Sequence, residues 1–527
     1  MFLRGLFYFL LVLTVAVTLL QRAFPTQDGP LHLYYADVLA NLLRGTGAYS
    51  HYYQIKHLFP PYAFEPYLMV ALNLVFAPLL SEKLLVSIYI VGFCLGFRYL
   101  VHSVDPENEV VPLFAVPLAM HKLLFMGFYN FCYGTAAALF VIGFWLRYYD
   151  RLTGRRSAIF LALIALLASM HPVPLFITLL FIAAQLSLSV AERFRTAAGT
   201  VVERVRTALT TSMRPISYAL VAASSLVWIS LFTSKSKLGF FDPDPKRLKT
   251  FVRLGAVTPF LAPAYRALLA VLILGLVAAA AVRVLRTARS GKLQDLSLPL
   301  MAVGCIVAYL VVPWEINNGA HFPERFPIFG LACTAAVAAG LRLSRIAERR
   351  IAVAVTGIVC LTIAWQAAEK HRIIEDLASA YDAPILPGRL HGAIVAGVPI
   401  NDRNELPYNF LPDYWAAAHY FRRAHAAFLN DAWLDAPIQM LKPRTEGRCS
   451  YSDTFPMLDC LSDTSAGGRL APDVLAAADA GGGGRWTAQL ADRLGMVRLS
   501  FSSPWLTFYA RPDLVTAAAR TPARSPR

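Results

Sequence analysis

Charged side chains are scarce in this sequence. They make up 16% of the 527 residues, whereas 57% of the residues are hydrophobic and the mean hydropathy is +0.51. A soluble domain carries about a quarter charged residues. The shortage and the repeated long apolar runs therefore predict a polytopic membrane protein. The net charge of +16 does not indicate a nucleic-acid partner, because Lys and Arg accumulate in the cytoplasmic loops of membrane proteins.

The motifs of several enzyme and transporter classes are also missing. The sequence has no P-loop, no GxGxxG that opens a helix after a strand, no GxSxG and no HExxH. These absences argue against ATP-driven transport and against hydrolases of those types. The seven cysteines show no CxxC or His/Cys ligand spacing, so they predict no zinc site. Cys449 and Cys460 lie in a polar region and can pair if that region is outside the cytoplasm.

The apolar runs predict a mainly α, polytopic helical bundle of about eleven transmembrane spans. No small-residue cleavage site follows Leu20, so the first run is predicted to be an uncleaved helix. The predicted spans are 2–20, 83–101, 110–122, 130–146, 157–170, 172–190, 215–232, 259–282, 297–312, 326–341 and 351–367.

The basic loops set the predicted topology. If the apolar stretch 66–80 lies flat on the outer face as an amphipathic helix, the N-terminus and four basic connections fall in the cytoplasm, as the positive-inside rule requires. Loop 234–253 disagrees, because it falls outside and yet holds six basic residues. Either the topology is wrong there or this loop binds something anionic. The four cytoplasmic connections are 147–156, 191–214, 283–292 and 342–350.

The chain divides into three predicted regions. A membrane domain covers 1–367 and includes a first external loop at 21–82. A small external α/β domain follows at 368–515, and 516–527 has the composition of a disordered tail. Within the α/β domain the composition predicts strands in 390–400 and 495–512, a helix at 413–429 and a turn or linker at 481–484.

The stretch PTQDGPLHL places an acid close after the first apolar helix. At the headgroup level, the Asp28 carboxylate can act as a general base or hold a divalent cation beside a phosphate. His32 falls in the first turn of the helix predicted at 30–43, near Asp28. The alternative is that Asp28 only caps this helix, with Pro30 at an early helical position.

This layout resembles the GT-C superfamily of membrane glycosyltransferases, which includes protein mannosyltransferases and lipid A aminoarabinose transferase. The similarity covers roughly 1–345. It rests on a first helix followed by the acid in PTQDGPLHL, juxtamembrane helices in a large first loop, and FPPYAFEPYLMVALNLVFAPLLSEKLL at the end of that loop. Many members carry an acidic pair here, whereas Gly29 follows Asp28.

The resemblance implies a sugar donor on a polyprenyl phosphate, an acceptor in a cell-envelope glycan, lipid or protein, and catalysis by Asp28. Arg325 is the candidate phosphate ligand because of its bidentate guanidinium, the alternative being an interfacial arginine that snorkels. Glu324 is a candidate substrate contact, or only a partner or cap. Lys235, Lys237, Lys246 and Arg247 are further candidate cations.

Four more residues in external segments complete the predicted site. His171 lies in a tight turn and is either a substrate contact or a satisfied residue before Pro172. Asn130 bonds a sugar hydroxyl or only a neighbouring backbone group. Glu315 is the best second carboxylate, and His32 joins Asp28.

Two other functional classes stay open at this level. One is a transporter or flippase of a lipid-linked envelope intermediate, although the spans carry almost no charged residues and the halves show no repeat. The other is a non-catalytic envelope assembly factor. The predicted location is a bacterial inner membrane, with the N-terminus cytoplasmic and the C-terminal domain periplasmic.

Overall fold

A computed structural model shows how the chain folds. The structure describes residues 1–45, 49–231, 245–252, 254–255, 257, 263–290, 292–314, 321–341, 343–376, 384–386, 391–396, 417–425, 427–428, 441–443, 473–478, 484–500 and 506–515. The predicted disulfide between Cys449 and Cys460, the predicted tail at 516–527 and the candidates Glu315, Lys235 and Lys237 lie outside these residues.

Helices dominate the described chain. The helices are α1 (Phe2–Leu20), α2 (Gly29–Leu43), α3 (Phe64–Asn73), α4 (Pro78–Val104), α5 (Ala115–Ala119), α6 (Lys122–Phe125), α7 (Tyr129–Tyr148), α8 (Gly154–Met170), α9 (Pro172–Thr196), α10 (Val201–Ser230), α11 (Pro245–Val252), α12 (Pro263–Ser290), α13 (Ser297–Val311), α14 (Pro327–Ala339), α15 (Arg345–Asp376) and α16 (Gly484–Arg493). Short 3₁₀ turns add Val111–Phe114, Tyr149–Arg151, Leu293–Leu296 and Pro323–Arg325.

The chain forms two compact units. The first contains Met1–Gln21, Phe59–Glu65 and Leu84–Ala367. The second contains Arg22–Leu58, Pro66–Lys83 and Ala368–Arg527. Most of the first loop therefore groups with the C-terminal region, whereas the short piece Phe59–Glu65 belongs with the helical unit.

Six helices among the described residues are long and apolar enough to cross a membrane. They lie at Phe2–Leu20, Pro78–Val104, Tyr129–Arg151, Pro172–Thr196, Arg266–Thr287 and Leu293–Val311. Each corresponds to a span predicted from the sequence, and an integral membrane protein is confirmed. The total of about eleven spans stays a prediction.

Two apolar stretches differ from their predicted form. The stretch 110–122 is broken into the 3₁₀ turn Val111–Phe114 and the short helices α5 and α6, because Pro112 and Pro117 interrupt regular helical hydrogen bonding. The stretch 66–80 is also not one helix. Helix α3 ends at Asn73, and α4 begins at Pro78, a proline that suits the first turn of a new helix.

Helix α7 forms the centre of the first unit. In its apolar stretch 89% of the residues are buried, which explains why it is hydrophobic on every side. Gly134 permits the close approach of α9, because a Cβ there would lie 3.0 Å from the Pro174 side chain and 3.2 Å from that of His171. Gly134 therefore serves the packing of α7 against α9.

The second unit carries the strands. They are β1 (Tyr53–Ile55), β2 (His391–Ala396), β3 (Ala427–Phe428), β4 (Leu441–Pro443), β5 (Val474–Ala478), β6 (Val497–Arg498) and β7 (Leu506–Ala510). A five-stranded mixed sheet has the order β3-β2-β5-β7-β6, and β1 pairs antiparallel with β4. The strand predictions at 390–400 and 495–512 are confirmed in part by β2, β6 and β7.

The helix predicted at 413–429 is wrong at its end. The described residues form a π-helical turn at Ala417–Phe421 and then strand β3 at Ala427–Phe428. His425 has a left-handed φ of 51°, a backbone conformation that cannot continue a right-handed helix. The chain therefore leaves the turn and enters the sheet.

Candidate functional site

His171 joins two helices in the first unit. It precedes Pro172, which disfavours a helical conformation for the residue before it, and its backbone is extended with φ −163° and ψ 134°. The side chain is 3% exposed. The Val173 backbone N–H donates to His171 Nδ1 at 3.0 Å, so this nitrogen caps α9. The predicted turn role thus occupies one ring nitrogen, and the other, Nε2, points elsewhere.

Arg325 lies against that second nitrogen. It ends the 3₁₀ turn before α14, it is 7% exposed, and its Nη1 lies 3.1 Å from His171 Nε2. Its guanidinium carbon lies 4.9 to 5.9 Å from the ring centroids of Phe322, Phe128 and Phe131, within cation–π range. A snorkelling arginine keeps its charge in water, whereas Arg325 is held inside the unit.

Tyr62 is the third member of this cluster. Its hydroxyl oxygen lies 3.1 Å from His171 Nε2, and its ring packs edge-on against the imidazole at a centroid distance of 4.8 Å. The Arg325 guanidinium also hydrogen-bonds the Tyr62 side chain. We call Tyr62, His171 and Arg325 the Arg325 cluster.

Asn130 fixes the chain segment that carries Tyr62. Its Oδ1 accepts from the Glu65 backbone N–H at 3.2 Å, and its Nδ2 donates to the Tyr62 carbonyl at 3.3 Å. The same Nδ2 lies 3.4 Å from Glu65 Oε2. Asn130 is therefore bonded to backbone groups, and it acts on the Arg325 cluster by holding Tyr62 in place.

The electrostatics of the Arg325 cluster keep its histidine neutral. Burial, with Arg325 as a second cause, lowers the pKa of His171 well below its ordinary value. Burial also lowers the pKa of Arg325, although Tyr62 and Glu324 oppose that effect. An arginine stays charged even so. The cluster thus combines one permanent cation with two neutral polar groups.

Glu324 belongs to a neighbouring ion pair. Its Oε1 lies 3.3 Å from Lys122 Nζ and 3.7 Å from His321 Nδ1. Burial favours the neutral acid, but the nearby His321 and the charge of Lys122 outweigh it and lower the pKa of Glu324. The carboxylate is therefore ionised and paired, in accord with the interpretation of Glu324 as a partner. An acid catalyst would need a raised pKa.

Asp28 and His32 lie in the second unit. Asp28 stands at the N-cap position of α2, and its backbone carbonyl accepts from Leu31 and His32 N–H groups at 2.9 and 3.1 Å. The side chain makes no capping hydrogen bond within α2 and instead accepts from Gln27 Nε2 at 3.1 Å. The alternative of a side-chain helix cap is therefore wrong, and the predicted helix beginning near Pro30 is confirmed.

Two further predictions concern Arg247 and a divalent cation. Arg247 is 8% exposed and donates to the Val312 carbonyl at 2.5 Å in the first unit, so it helps to hold its own loop. Among the described residues, no three His, Cys, Asp or Glu side chains come together in a way that suits a metal ion. The divalent cation stays a prediction.

The structure thus brings three of the predicted residues, Asn130, His171 and Arg325, into one region of the first unit. Sequence reasoning missed Tyr62 and Lys122. The signal for Tyr62 was the pair Pro60-Pro61, which restricts the backbone ahead of it. Lys122 had no local signal, because its partner Glu324 is distant in sequence.

Comparison with known proteins gives a structural match. No protein-family model and no curated protein sequence matches the chain. The fold is similar to the crystal structure of ArnT from Cupriavidus metallidurans bound to undecaprenyl phosphate, with a TM-score of 0.52. The match covers 96% of this chain and 97% of that one at 12% sequence identity. The chain therefore has the fold of that protein, and its long apolar helices are those of an integral membrane protein.

Proposed function

We propose that this protein is a membrane glycosyltransferase that moves a sugar from a polyprenyl phosphate to a cell-envelope acceptor. The observation that carries the proposal is the Arg325 cluster, within a fold like that of ArnT. A buried guanidinium that hydrogen-bonds Tyr62 and lies against His171 is a preorganised cation for a phosphate leaving group. That the solved ArnT structure contains undecaprenyl phosphate supports this donor class.

The reaction needs a base, a phosphate ligand and an acceptor hydroxyl. The acceptor oxygen attacks the anomeric carbon of the sugar, and the bond from that carbon to the phosphate oxygen breaks. The acceptor proton passes to the carboxylate of Asp28, which acts as general base. The polyprenyl phosphate leaves with its charge stabilised by Arg325. A single displacement of this kind inverts the anomeric carbon.

The other predicted residues complete the proposal. Asn130 positions Tyr62 and Glu65, and His32 and Glu315 are substrate contacts. The chemistry takes place on the external face, where the region 368–515 lies as an external domain, and the N-terminus is cytoplasmic. The proposed location is the bacterial inner membrane. A polyprenyl phosphate is an envelope carrier whose lipid stays in the bilayer, which fits an integral membrane enzyme.

The test replaces the carboxylate of Asp28 with an amide of nearly the same shape. Asp28→Asn should lower sugar transfer in membranes by at least about a hundredfold, because general bases contribute on the order of 10² to 10⁴ in rate. Transfer is measured from a panel of radiolabelled polyprenyl-phosphate sugars to envelope material. Glu107→Gln, which neutralises an exposed loop acid, is the matched control and should transfer normally.

Two outcomes would contradict the proposal at different levels. Full transfer by a well-folded Asp28→Asn variant would exclude Asp28 as the base. No transfer by the natural protein from any donor of the panel, with retained binding or movement of lipid-linked sugars, would instead favour the transporter or the assembly factor.

A further inference from the structure

The hydrogen atoms of the Arg325 cluster can be assigned from its geometry. The Val173 backbone N–H and Arg325 Nη1 can both only donate, and a neutral imidazole has one acceptor nitrogen. We assign the acceptor to Nδ1, which lies 3.0 Å from the Val173 nitrogen and caps α9, whereas Arg325 Nη1 lies 3.1 Å from Nε2. A neutral imidazole then carries its proton on Nε2. Nε2–H therefore acts as a donor toward its neighbours.

Both neighbours of the Tyr62 oxygen are donors. Arg325 has no acceptor atom, so the 3.1 Å approach of its Nη1 to His171 Nε2 cannot be a hydrogen bond between these two groups. The acceptor that His171 and Arg325 share is the Tyr62 oxygen, which lies 3.1 Å from Nε2 and also hydrogen-bonds the guanidinium. A phenol oxygen that accepts two hydrogen bonds must direct its own hydrogen away from both donors.

The Tyr62 hydrogen is thus available to a ligand. With this assignment the hydroxyl has no acceptor among the described residues, and the Tyr62 side chain is half-buried. Its position is fixed at both ends, since Asn130 holds the backbone carbonyl and His171 contacts the ring. Burial raises the pKa of Tyr62 despite the opposing effect of Arg325, so the phenol keeps its proton and can donate it.

We propose that Tyr62 is a substrate-contacting residue whose hydroxyl donates a hydrogen bond to a phosphate oxygen of the lipid-linked donor. This inference rests on the proposed function. An anionic oxygen is the acceptor that fits best, because the phenol stands beside the Arg325 cation and its O–H is polarised by the two hydrogen bonds it accepts. Arg325 and Tyr62 together then offer donors to one phosphate group.

The experiment measures binding of undecaprenyl phosphate to the purified full-length protein in detergent. Tyr62→Phe removes only the hydroxyl and should weaken binding about ten- to a hundredfold, the value of a hydrogen bond to a charged group. Undecaprenol, which lacks the phosphate, should bind the variant and the natural protein equally. Tyr67→Phe is the matched control, because the Tyr67 hydroxyl donates to the Leu58 carbonyl at 2.7 Å, and it should not change binding of undecaprenyl phosphate.

A second change tests hydrogen-bond donation independently of folding. Replacing Tyr62 with a ring-fluorinated tyrosine, whose phenol is more acidic, should tighten binding about twofold if the hydroxyl donates to an anion. A purely structural role would leave the affinity unchanged. Inorganic phosphate as competitor separates a free anion site from a lipid headgroup site. Only the lipid form is expected to compete at concentrations near its own dissociation constant.

The outcomes separate this inference from the proposed function. If the natural protein binds undecaprenyl phosphate no more tightly than undecaprenol, the polyprenyl-phosphate donor itself is wrong. If it prefers the phosphate and both Tyr62 changes leave that preference intact, the proposed function survives and the role of Tyr62 is wrong.

Discussion

Each of the two units holds an arginine beside a neutral histidine and a tyrosine. The first unit has the Arg325 cluster. The second has what we call the Arg422 cluster, formed by Asp37, Tyr49, His419 and Arg422. In both clusters burial lowers the pKa of the histidine well below its ordinary value, and the nearby arginines act in the same direction. Each cluster therefore combines an arginine with a buried histidine that stays neutral.

The difference between them is an acid. Asp37 interacts with Arg422 and accepts a hydrogen bond from Tyr49, whose hydroxyl oxygen also lies 3.3 Å from the Arg422 carbonyl oxygen. In the Arg325 cluster the polar partners are a phenol and a neutral imidazole, and the adjacent Glu324 is bonded to Lys122. A paired cation such as Arg422 stabilises its own unit. For Arg325 we propose instead that the charge serves an anionic ligand.

Replacing each arginine with methionine tests this comparison and should give the largest effects. Arg325→Met should lower sugar transfer by at least about a hundredfold, because a bidentate charge-assisted contact is lost. Its thermal stability should change less than that of Arg422→Met, because no carboxylate loses its only cation: Glu324 keeps its ion pair with Lys122. Arg422→Met should do the reverse and cost about 2 kcal/mol, because it leaves Asp37 without its cation.

The measurements are transfer per folded molecule and the melting temperature in detergent. Arg206→Met, at an exposed position on α10, controls for loss of one positive charge. The comparison fails if Arg325→Met melts far below the natural protein while its folded fraction still transfers sugar normally.

Acid should destabilise both units through their histidines. A histidine whose folded pKa is depressed binds its proton more weakly in the folded state. Its contribution to stability is present above the unfolded pKa of 6.5 and is lost as the pH falls toward the folded value. Each histidine should therefore add about 1.4 kcal/mol per pH unit of slope below pH 6.5.

Melting temperatures between about pH 5 and about pH 8 check this expectation. His171→Gln and His419→Gln should each flatten the curve below pH 6.5, and the double variant should flatten it further. A slope that is unchanged in both single variants would show that other groups set the acid stability.

The sequence predicted many of the helices and strands but only some of the side-chain contacts. Helix α2 after Asp28, the long apolar helices and strands β2 and β7 follow from local pattern, so composition and periodicity located them. The prediction of one helix over 66–80 is wrong, because the apolar content of this stretch hides the break between Asn73 and Pro78. Here the helix ends and restarts within one apolar run.

The contacts that define the Arg325 cluster lie beyond local pattern. Tyr62 and His171 are separated by 109 positions and His171 and Arg325 by 154, so only the packed fold reveals their pairing. Arg325, His171 and Asn130 were recognisable because polar residues at a membrane boundary are uncommon and have few structural uses. A tyrosine at such a boundary is common, which is why Tyr62 did not stand out.

Two asparagines in the first unit allow the finest test of the cluster. Asn130 Oδ1 accepts from the Glu65 N–H at 3.2 Å and Nδ2 donates to the Tyr62 carbonyl at 3.3 Å. Asn108 does the same elsewhere, accepting from Val111 N–H at 3.0 Å and donating to the Ala339 carbonyl at 3.1 Å. The two side chains therefore make the same pair of backbone bonds. Asn130 Nδ2 also lies 3.4 Å from Glu65 Oε2, and only Asn130 holds a member of the Arg325 cluster.

Asn130→Asp and Asn108→Asp keep the acceptor and remove the donor. Asn108→Asp should cost about 1 kcal/mol of stability, the value of one hydrogen bond. Asn130→Asp should cost more and lower the melting temperature further, because its carboxylate would lie beside that of Glu65. Only Asn130→Asp should also weaken binding of undecaprenyl phosphate, by a few-fold, because Tyr62 loses the bond that fixes its carbonyl. Equal binding by the two variants would mean that the ring contact with His171 alone holds Tyr62. The hydrogen bonds of Asn130 would then stabilise the fold of the first unit and would not affect ligand binding.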